Sequence, residues 1–300
     1  MPLKEKKGLL IANARAGKQG VKSQLYPIIE GLSTEYTMTV HLTEGPGDAR
    51  ATAEQAAGYD AIFVSGGDGT VNGVADGLLR AGLQIPIGYF PSGTANDLAT
   101  TLQLSRDVEK TLEIIKNGKP VPHDMGCLGG KYRFVYTASF GAFTKVSYGT
   151  SQKMKNMLGH MAYVISGASE LFKLEPETIS VKWDGGELCE TDVLFFAVMN
   201  THSMAGMVKI PAEQIKLSDG VLDLLIVKKP QTVAETSTLL MDLVTNHICD
   251  SKNENIIFAH SKTVEVHSKR PVAWTVDGEG TKEMSDVTVR VIPHGVRFIR

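Results

Sequence analysis

The sequence predicts an α/β domain followed by a β-rich one. From Gly8 to about Gly118, short apolar runs alternate with longer stretches of helical spacing, the pattern of βαβ units and a parallel sheet. Beyond Pro122, alternating runs are broken by turn dipeptides, as in an antiparallel, hairpin-rich domain. With 300 residues and 42% apolar content, each half has material for its own core.

In order, the apolar runs predict strands over Gly8–Asn13, Tyr36–Leu42, Asp60–Val64 and Ile85–Phe90. Between and after them, helical spacing predicts helices over Lys22–Leu32, Gly47–Ala57, Thr70–Ala81, Asn96–Leu102 and Asp107–Asn117, the last closed by Asn117-Gly118. In the second half, Gly129-Gly130, Asp184-Gly185-Gly186, Asp219-Gly220 and Asp277-Gly278 mark turns. Two helices are expected there, Lys153–Phe172 and Thr232–Asn246, the second with Pro230 at its mouth. No long polar linker separates the halves, so the boundary is a change of pattern near residues 120–130. The expected domains are 1–125 and 126–292, with 293–300 packing back on the first.

Composition excludes several classes. Lys and Arg number 31 against 33 Asp and Glu, so a net charge of -2 offers no general attraction to nucleic acid, and any phosphate site must be local. Cys127, Cys189 and Cys249 are odd in number and lack metal-ligand spacing, which fits a reducing cytoplasm better than a disulfide framework. The start is basic, but the apolar stretch Gly8–Ala12 breaks at Asn13, too short for a signal peptide. Val193–Met199 is far below the roughly 20 residues that span a bilayer. A soluble or peripheral cytoplasmic protein is expected. His123, His202, His247, His260 and His267 have no metal-binding spacing and read as surface or turn residues.

The informative segment follows the third strand. Gly66, Gly67 and Gly69 let the backbone turn sharply with its amides exposed, so phosphate oxygens can approach both the amides and the dipole of a helix that Thr70 would cap. Asp68 stands out among them, because a carboxylate there repels a nucleotide unless Mg²⁺ lies between. The plainer reading is a tight turn with Asp68 as a capping side chain. A second loop, Pro91-Ser92-Gly93-Thr94-Ala95-Asn96-Asp97, follows the next strand, and both belong to the carboxyl edge where open α/β sheets bind ligands. Asn13-Ala14-Arg15-Ala16-Gly17-Lys18 brings two cations to the same edge without Walker A spacing, solvated surface charge being the alternative for Arg15 and Lys18.

Read alone, Asp277-Gly278-Glu279-Gly280 is a hairpin turn with solvated acids, and Lys216-Leu217-Ser218-Asp219-Gly220-Val221 a turn before a strand. Met154, Leu158, Met161, Ile165, Ala168 and Phe172 form one helical stripe beside Lys153, Lys155 and His160, suited to core packing or to an acyl chain.

Taken together, Asn13–Gly17, Gly66–Asn72, Pro91–Asp97, Ser218-Asp219-Gly220 and Val276–Glu279 resemble the diacylglycerol kinase catalytic-domain family, in its bacterial soluble form, in family order. The resemblance implies a doubly wound, NAD kinase-like nucleotide domain followed by an antiparallel β-sandwich-type domain, and an ATP- and Mg²⁺-dependent kinase acting on a lipid alcohol. It implies ATP contacts from Asn13, Ala14, Arg15, Ala16, Gly17, Lys18, Thr43, Gly66, Gly67, Asp68, Gly69, Thr70, Val71, Asn72, Thr94 and Asn96. Asp68, with Asp97, would organise the catalytic Mg²⁺, and Glu279 would be the base. The Asp219 carboxylate with the Lys216 and Val221 carbonyls would hold a structural Mg²⁺. A peripheral membrane contact is implied, and a homodimer is compatible with it. The chain departs from the family pattern where Leu98-Ala99-Thr100-Thr101 lacks an arginine and where Ser166 stands for a lysine. Two other readings remain: a NAD kinase-like phosphotransferase with a soluble acceptor, and a nucleotide-binding regulatory module.

Overall fold

The computed structural model describes residues 6–13, 20–94, 96–141, 174–204, 208–244, 248–249 and 252–300. Ala14 to Lys18, and the expected helix Lys153–Phe172 with its methionine stripe and Ser166, lie outside them. The chain divides into two compact units, Met1–Met125 with Pro293–Arg300, and Gly126–Ile292.

In the first unit, β1 (Lys6–Ala12), α1 (Gly20–Leu32), β2 (Tyr36–Leu42), α2 (Asp48–Glu54), β3 (Ala61–Gly66), α3 (Asp68–Arg80) and β4 (Ile87–Pro91) alternate as the apolar runs predict. Two more helices follow, α4 (Asp97–Thr101) and α5 (Val108–Asn117). The strands are parallel in the order β2-β1-β3-β4. β3 reads as an unbroken apolar run because it is buried at every position. Ala61 and Phe63 meet Ile28 and Leu32 of α1 and Leu112 and Ile115 of α5 on one face. Ile62 and Val64, equally buried, turn to the other. α2 and α3 pack so closely that Gly77, facing the Arg50 carbonyl, has no room for a side chain. α2 and α4 start one residue later than expected, because Gly47 (φ 84°) and Asn96 (φ 56°) are left-handed and cannot belong to the helices they precede, and α2 also ends at Glu54 and not at Ala57.

The chain leaves β1 for β2 on one side, then passes back over β1 to β3 on the other. The strand order therefore reverses between β1 and β3, and a crevice outside their carboxyl ends is where such sheets bind ligands. The chain's last residues return to this unit, where Phe298 pairs with Ile87 of β4.

From β5 (Pro120–Leu128) onward the chain is strand-rich: β6 (Tyr132–Phe134), β7 (Thr137–Gly141), β8 (Glu177–Trp183), β9 (Gly186–Met199), β10 (Ser203–Met204), β11 (Val208–Lys209) and β12 (Leu222–Lys228). After α6 (Val233–Val244) come β13 (Ile256–Ser261), β14 (Thr263–Val276) and β15 (Glu279–Ile299). Pairing in the second unit is antiparallel. Both long strands, β9 and β14, pair with β8 over one end and with β7 over the other. They enclose a core in which Trp274, Phe140 and Phe196 meet with ring centroids 4.7 to 5.6 Å apart. The opposite face of β9 and β12 is covered by Leu239 and Leu243 of α6, whose predicted start holds: the Thr232 hydroxyl accepts the Glu235 amide at 3.1 Å.

The turn dipeptides lie where hairpins need them. Asp277 (φ 45°) and Gly278 (φ 87°) form the two-residue link between β14 and β15, and positive φ at both is the primed turn whose twist matches the strands.

Candidate active site

At the crevice edge the first unit gathers most of the expected nucleotide residues. The Asn13 amide donates to the Ser65 carbonyl at 2.8 Å, and its side-chain nitrogen donates to the Thr70 hydroxyl at 3.3 Å. The Thr43 amide reaches the Ala12 carbonyl at 2.9 Å, so the end of β2 sits beside the end of β1. The loop after β3 is tight: a Cβ on Gly66 would lie 2.6 Å from the Thr70 hydroxyl. Thr70 was expected to cap α3. The cap is instead Gly67, three residues earlier, which has no side chain to satisfy the first helical amides. Gly69 is exposed on that first turn, whereas Val71 is fully buried and its side chain belongs to the core. Asn72 lies one residue further along the same helix.

The second loop closes against the first. Ser92 donates its amide to the Gly66 carbonyl at 2.9 Å, and a Cβ on Gly93 would come 2.6 Å from the Gly67 Cα. Asn96, buried and left-handed, accepts the Gly93 amide and donates to the Gly93 carbonyl, both at 2.9 Å. Its side chain thus holds the loop's shape. The buried Tyr89 hydroxyl lies 3.3 Å from both the Gly66 carbonyl and the Asn96 side-chain oxygen.

Asp68 joins the loops. It does cap a helix, but the neighbouring one: its carboxylate accepts the Asp97 amide at 3.1 Å and the Leu98 amide at 3.4 Å, at the start of α4. Burial, and after it the Asp97 carboxylate, push Asp68 up to about 6 against the pull of those amides. Asp97 is itself buried. Two carboxylates crowded where one is kept near neutrality make a pair that a hard divalent cation relieves, and Mg²⁺ takes one or two carboxylates with phosphates and water. The residues present fit that ion.

In the second unit, Glu279 is exposed at the first position of β15, paired with Val276 across the turn. Its neighbour Asp277 is not the solvated acid that the turn suggests. It is 4% exposed, and its carboxylate accepts the amides of Val135 at 2.7 Å, Tyr136 at 3.1 Å and Thr137 at 2.9 Å. The Asp219 carboxylate accepts the Val221 amide at 3.3 Å within its own exposed turn. The adjoining segment is tied down through the Ile215 carbonyl, 3.1 Å from the His202 ring, and the Leu217 carbonyl, which accepts from Asn200 at 3.1 Å. One Asp219 oxygen is taken up by the Val221 amide.

Two residues of the site stand outside every sequence motif, and a third, Asp277, lies inside one but takes partners that the motif does not show. Tyr89 hid in an apolar run. Arg106 lies beyond the second loop, yet its guanidinium donates to the Thr94 carbonyl at 2.8 Å and its charge acts on the Tyr89 hydroxyl. Asp277 carries out its bonding with residues some 140 positions away. The expectation for His123 also fails: it is buried, with its ring edge-on to Phe298.

Residues 7–128 match the family model described as the diacylglycerol kinase catalytic domain, and residues 137–300 match the YegS C-terminal NAD kinase beta sandwich-like domain. The chain is 32% identical to a diacylglycerol kinase of Bacillus subtilis, over 91% of this chain and 90% of that protein. It is 30% identical to one of Staphylococcus carnosus, over 91% and 89%. Among solved structures, a diacylglycerol kinase from Bacillus anthracis superposes with a TM-score of 0.76 at 21% identity, covering 98% of this chain and 96% of that one. An NAD kinase from Archaeoglobus fulgidus, solved in complex with ATP, does so at 0.54 and 11% identity, covering 98% and 93%. These last two likenesses speak to the fold.

Proposed function

The chain belongs to the diacylglycerol kinase catalytic-domain family, and from that premise we propose that it transfers the γ-phosphoryl of ATP to the hydroxyl of diacylglycerol or a related lipid alcohol. The observation that carries the proposal is the Asp68 bridge: two glycine loops, at the carboxyl ends of adjacent strands, are drawn together by a carboxylate that is itself raised in pKa beside Asp97. The Gly66–Asn72 segment then receives the phosphates through the amides at its turn into α3, ahead of Thr70 and Val71, whose amides donate to the Gly67 carbonyl, with Asn13, Thr43, Thr94 and Asn96 around it, joined by Ala14, Arg15, Ala16, Gly17 and Lys18. The helix dipole of α3 favours the same anionic group.

Asp68 and Asp97 hold Mg²⁺, which when bound shields these carboxylates from the nucleotide and neutralises charge on its phosphates. Glu279 acts as general base. A lipid hydroxyl is a poor nucleophile, and a carboxylate that accepts its proton as the phosphoryl group moves across removes that difficulty. The Lys216 and Val221 carbonyls and the Asp219 carboxylate hold a structural Mg²⁺. With a lipid as acceptor, the protein meets a membrane surface from the cytoplasmic side. Among the described residues no helix is long and apolar enough to cross one.

The fold shared with NAD kinases supports a second reading, a soluble acceptor. One experiment separates the two. Labelled ATP with Mg²⁺ is given mixed micelles of diacylglycerol, monoacylglycerol, ceramide or sphingosine, or NAD without lipid, and the products are separated, with Asp68→Ala as control. Labelled lipid phosphate is expected. Label on NAD alone, or ATP binding without transfer to any acceptor, would overturn the proposal.

A further inference from the structure

Asp277 is buried at the tip of the β14–β15 hairpin. A carboxylate removed from water costs several kcal/mol unless its oxygens are met by donors. Three amides meet this one, two from the connection between β6 and β7 and one from Thr137 at the start of β7, at 2.7, 3.1 and 2.9 Å. The Asp277 amide returns a fourth bond, donating to the Thr137 carbonyl at 2.9 Å. Val135, Tyr136 and Thr137 are themselves buried, so the anchor is inside the unit and not a loop at its surface. Tyr136 is held in turn through its carbonyl, which accepts the Asn200 amide at 2.8 Å.

The turn transmits that anchoring to its neighbour. Only Gly278 separates Asp277 from Glu279, and the two-residue turn has both central φ angles positive, a conformation with little freedom. Glu279 is the exposed end of a tip whose other end is held by four hydrogen bonds across about 140 residues of sequence. A solvated turn acid, free to take any rotamer, has no need of such an arrangement.

We infer that Asp277 is a positioning residue that sets where the Glu279 carboxylate meets the acceptor hydroxyl. This rests on Glu279 being the base. Asp277 itself touches no reacting atom: its charge is taken up by the three amides, and its part is to hold the hairpin tip against residues 135–137. Displacement of a reacting group by about 1 Å costs on the order of 100-fold in rate, so loosening this anchor lowers kcat while leaving nucleotide binding alone.

The test is a double-mutant cycle of Asp277→Asn and Glu279→Gln, with kcat and the KM for ATP measured per folded molecule, the folded fraction being taken from near-UV circular dichroism. Asn tolerates the left-handed φ of 45° and keeps one acceptor oxygen, so the turn can still form. D277N is expected to lower kcat about 10- to 100-fold at an unchanged KM for ATP. In the E279Q background, D277N is expected to cost nothing further, because the group it positions is gone. Loss of the same factor in both backgrounds, or a wild-type kcat in folded D277N, would overturn the inference. Wild-type turnover in E279Q would instead remove the base reading on which it rests. If D277N does not fold, Gly278→Ala perturbs the same tip through its φ of 87° and leaves the four bonds in place; a several-fold fall in kcat is then expected, and an unchanged kcat overturns the proposal.

Discussion

Asp68 and Asp97 are joined by a hydrogen bond from the backbone amide of one to the carboxylate of the other, at 3.1 Å. The amide neutralises part of the charge that the Asp97 side chain repels, and the carboxylate supplies the cap that α4 lacks in its own sequence. The site's electrostatics and the loops' geometry therefore depend on one group.

That group makes the ligand-free protein sensitive to pH. Burial and Asp97 raise Asp68 from 3.8 to about 6. The folded chain thus binds this proton more tightly than the unfolded chain, and stability falls as pH rises from about 4 through 6, by about 3 kcal/mol for a shift of about 2 pH units. Asp223, pushed up chiefly by burial against the pull of the His260 ring 2.7 Å away, adds a slope of the same sign. Urea unfolding in EDTA at pH 5.0 and 7.5 isolates the Asp68 share: Asp68→Asn is expected to have the flatter dependence, and equal slopes would refute it.

Gly93→Ala is expected to force the two loops apart, since its Cβ would lie 2.6 Å from the Gly67 Cα and 2.8 Å from the Asn96 side-chain oxygen. Neither is the soft end of a flexible chain. Calorimetry should read a loss of ATP affinity of about tenfold or more, and unfolding a destabilisation of about 1–3 kcal/mol. Gly45→Ala, with nothing within 4 Å, is the control expected to change stability by less than about 0.5 kcal/mol.

Arg106→Gln removes the guanidinium that donates to the Thr94 carbonyl at 2.8 Å. Initial-rate kinetics are expected to show the KM for ATP raised about three- to tenfold, with kcat within about twofold, and partial rescue by Arg106→Lys. A collapse of kcat at an unchanged KM would put Arg106 in the chemistry instead.

Glu279→Gln tests the base directly. Turnover is expected to fall about 10²- to 10⁴-fold, while ATP binding by calorimetry stays within about twofold, because the substituted residue is exposed at a hairpin tip. Retained turnover would return Glu279 to the role of a solvated turn acid.

Most of the fold was legible because its signals are local. Ala61-Ile62-Phe63-Val64 is apolar throughout since both faces of β3 are covered, and Asp277-Gly278 marks a primed turn because few residue pairs accept its φ angles. Boundaries were less legible where a left-handed residue, Gly47 or Asn96, stops a helix that periodicity would extend. Thr70 looked like a cap because a hydroxyl follows the glycines, whereas the backbone begins to turn at Gly67.

The sequence by itself determined the alternation of strands and helices in the first unit, the hairpins of the second, and the residue types at each phosphate loop, since propensity, periodicity and turn chemistry act over a few neighbours. Tertiary structure alone decided which partners the acids take. Asp68 caps a helix 29 residues on, Asp277 is buried against amides about 140 residues back, and His123 lies against Phe298 inside the first unit. A carboxylate or a ring reads the same in sequence whether water or an amide meets it. Only the packed chain brings the donors to it, and with them its charge, its pKa and its part in the site.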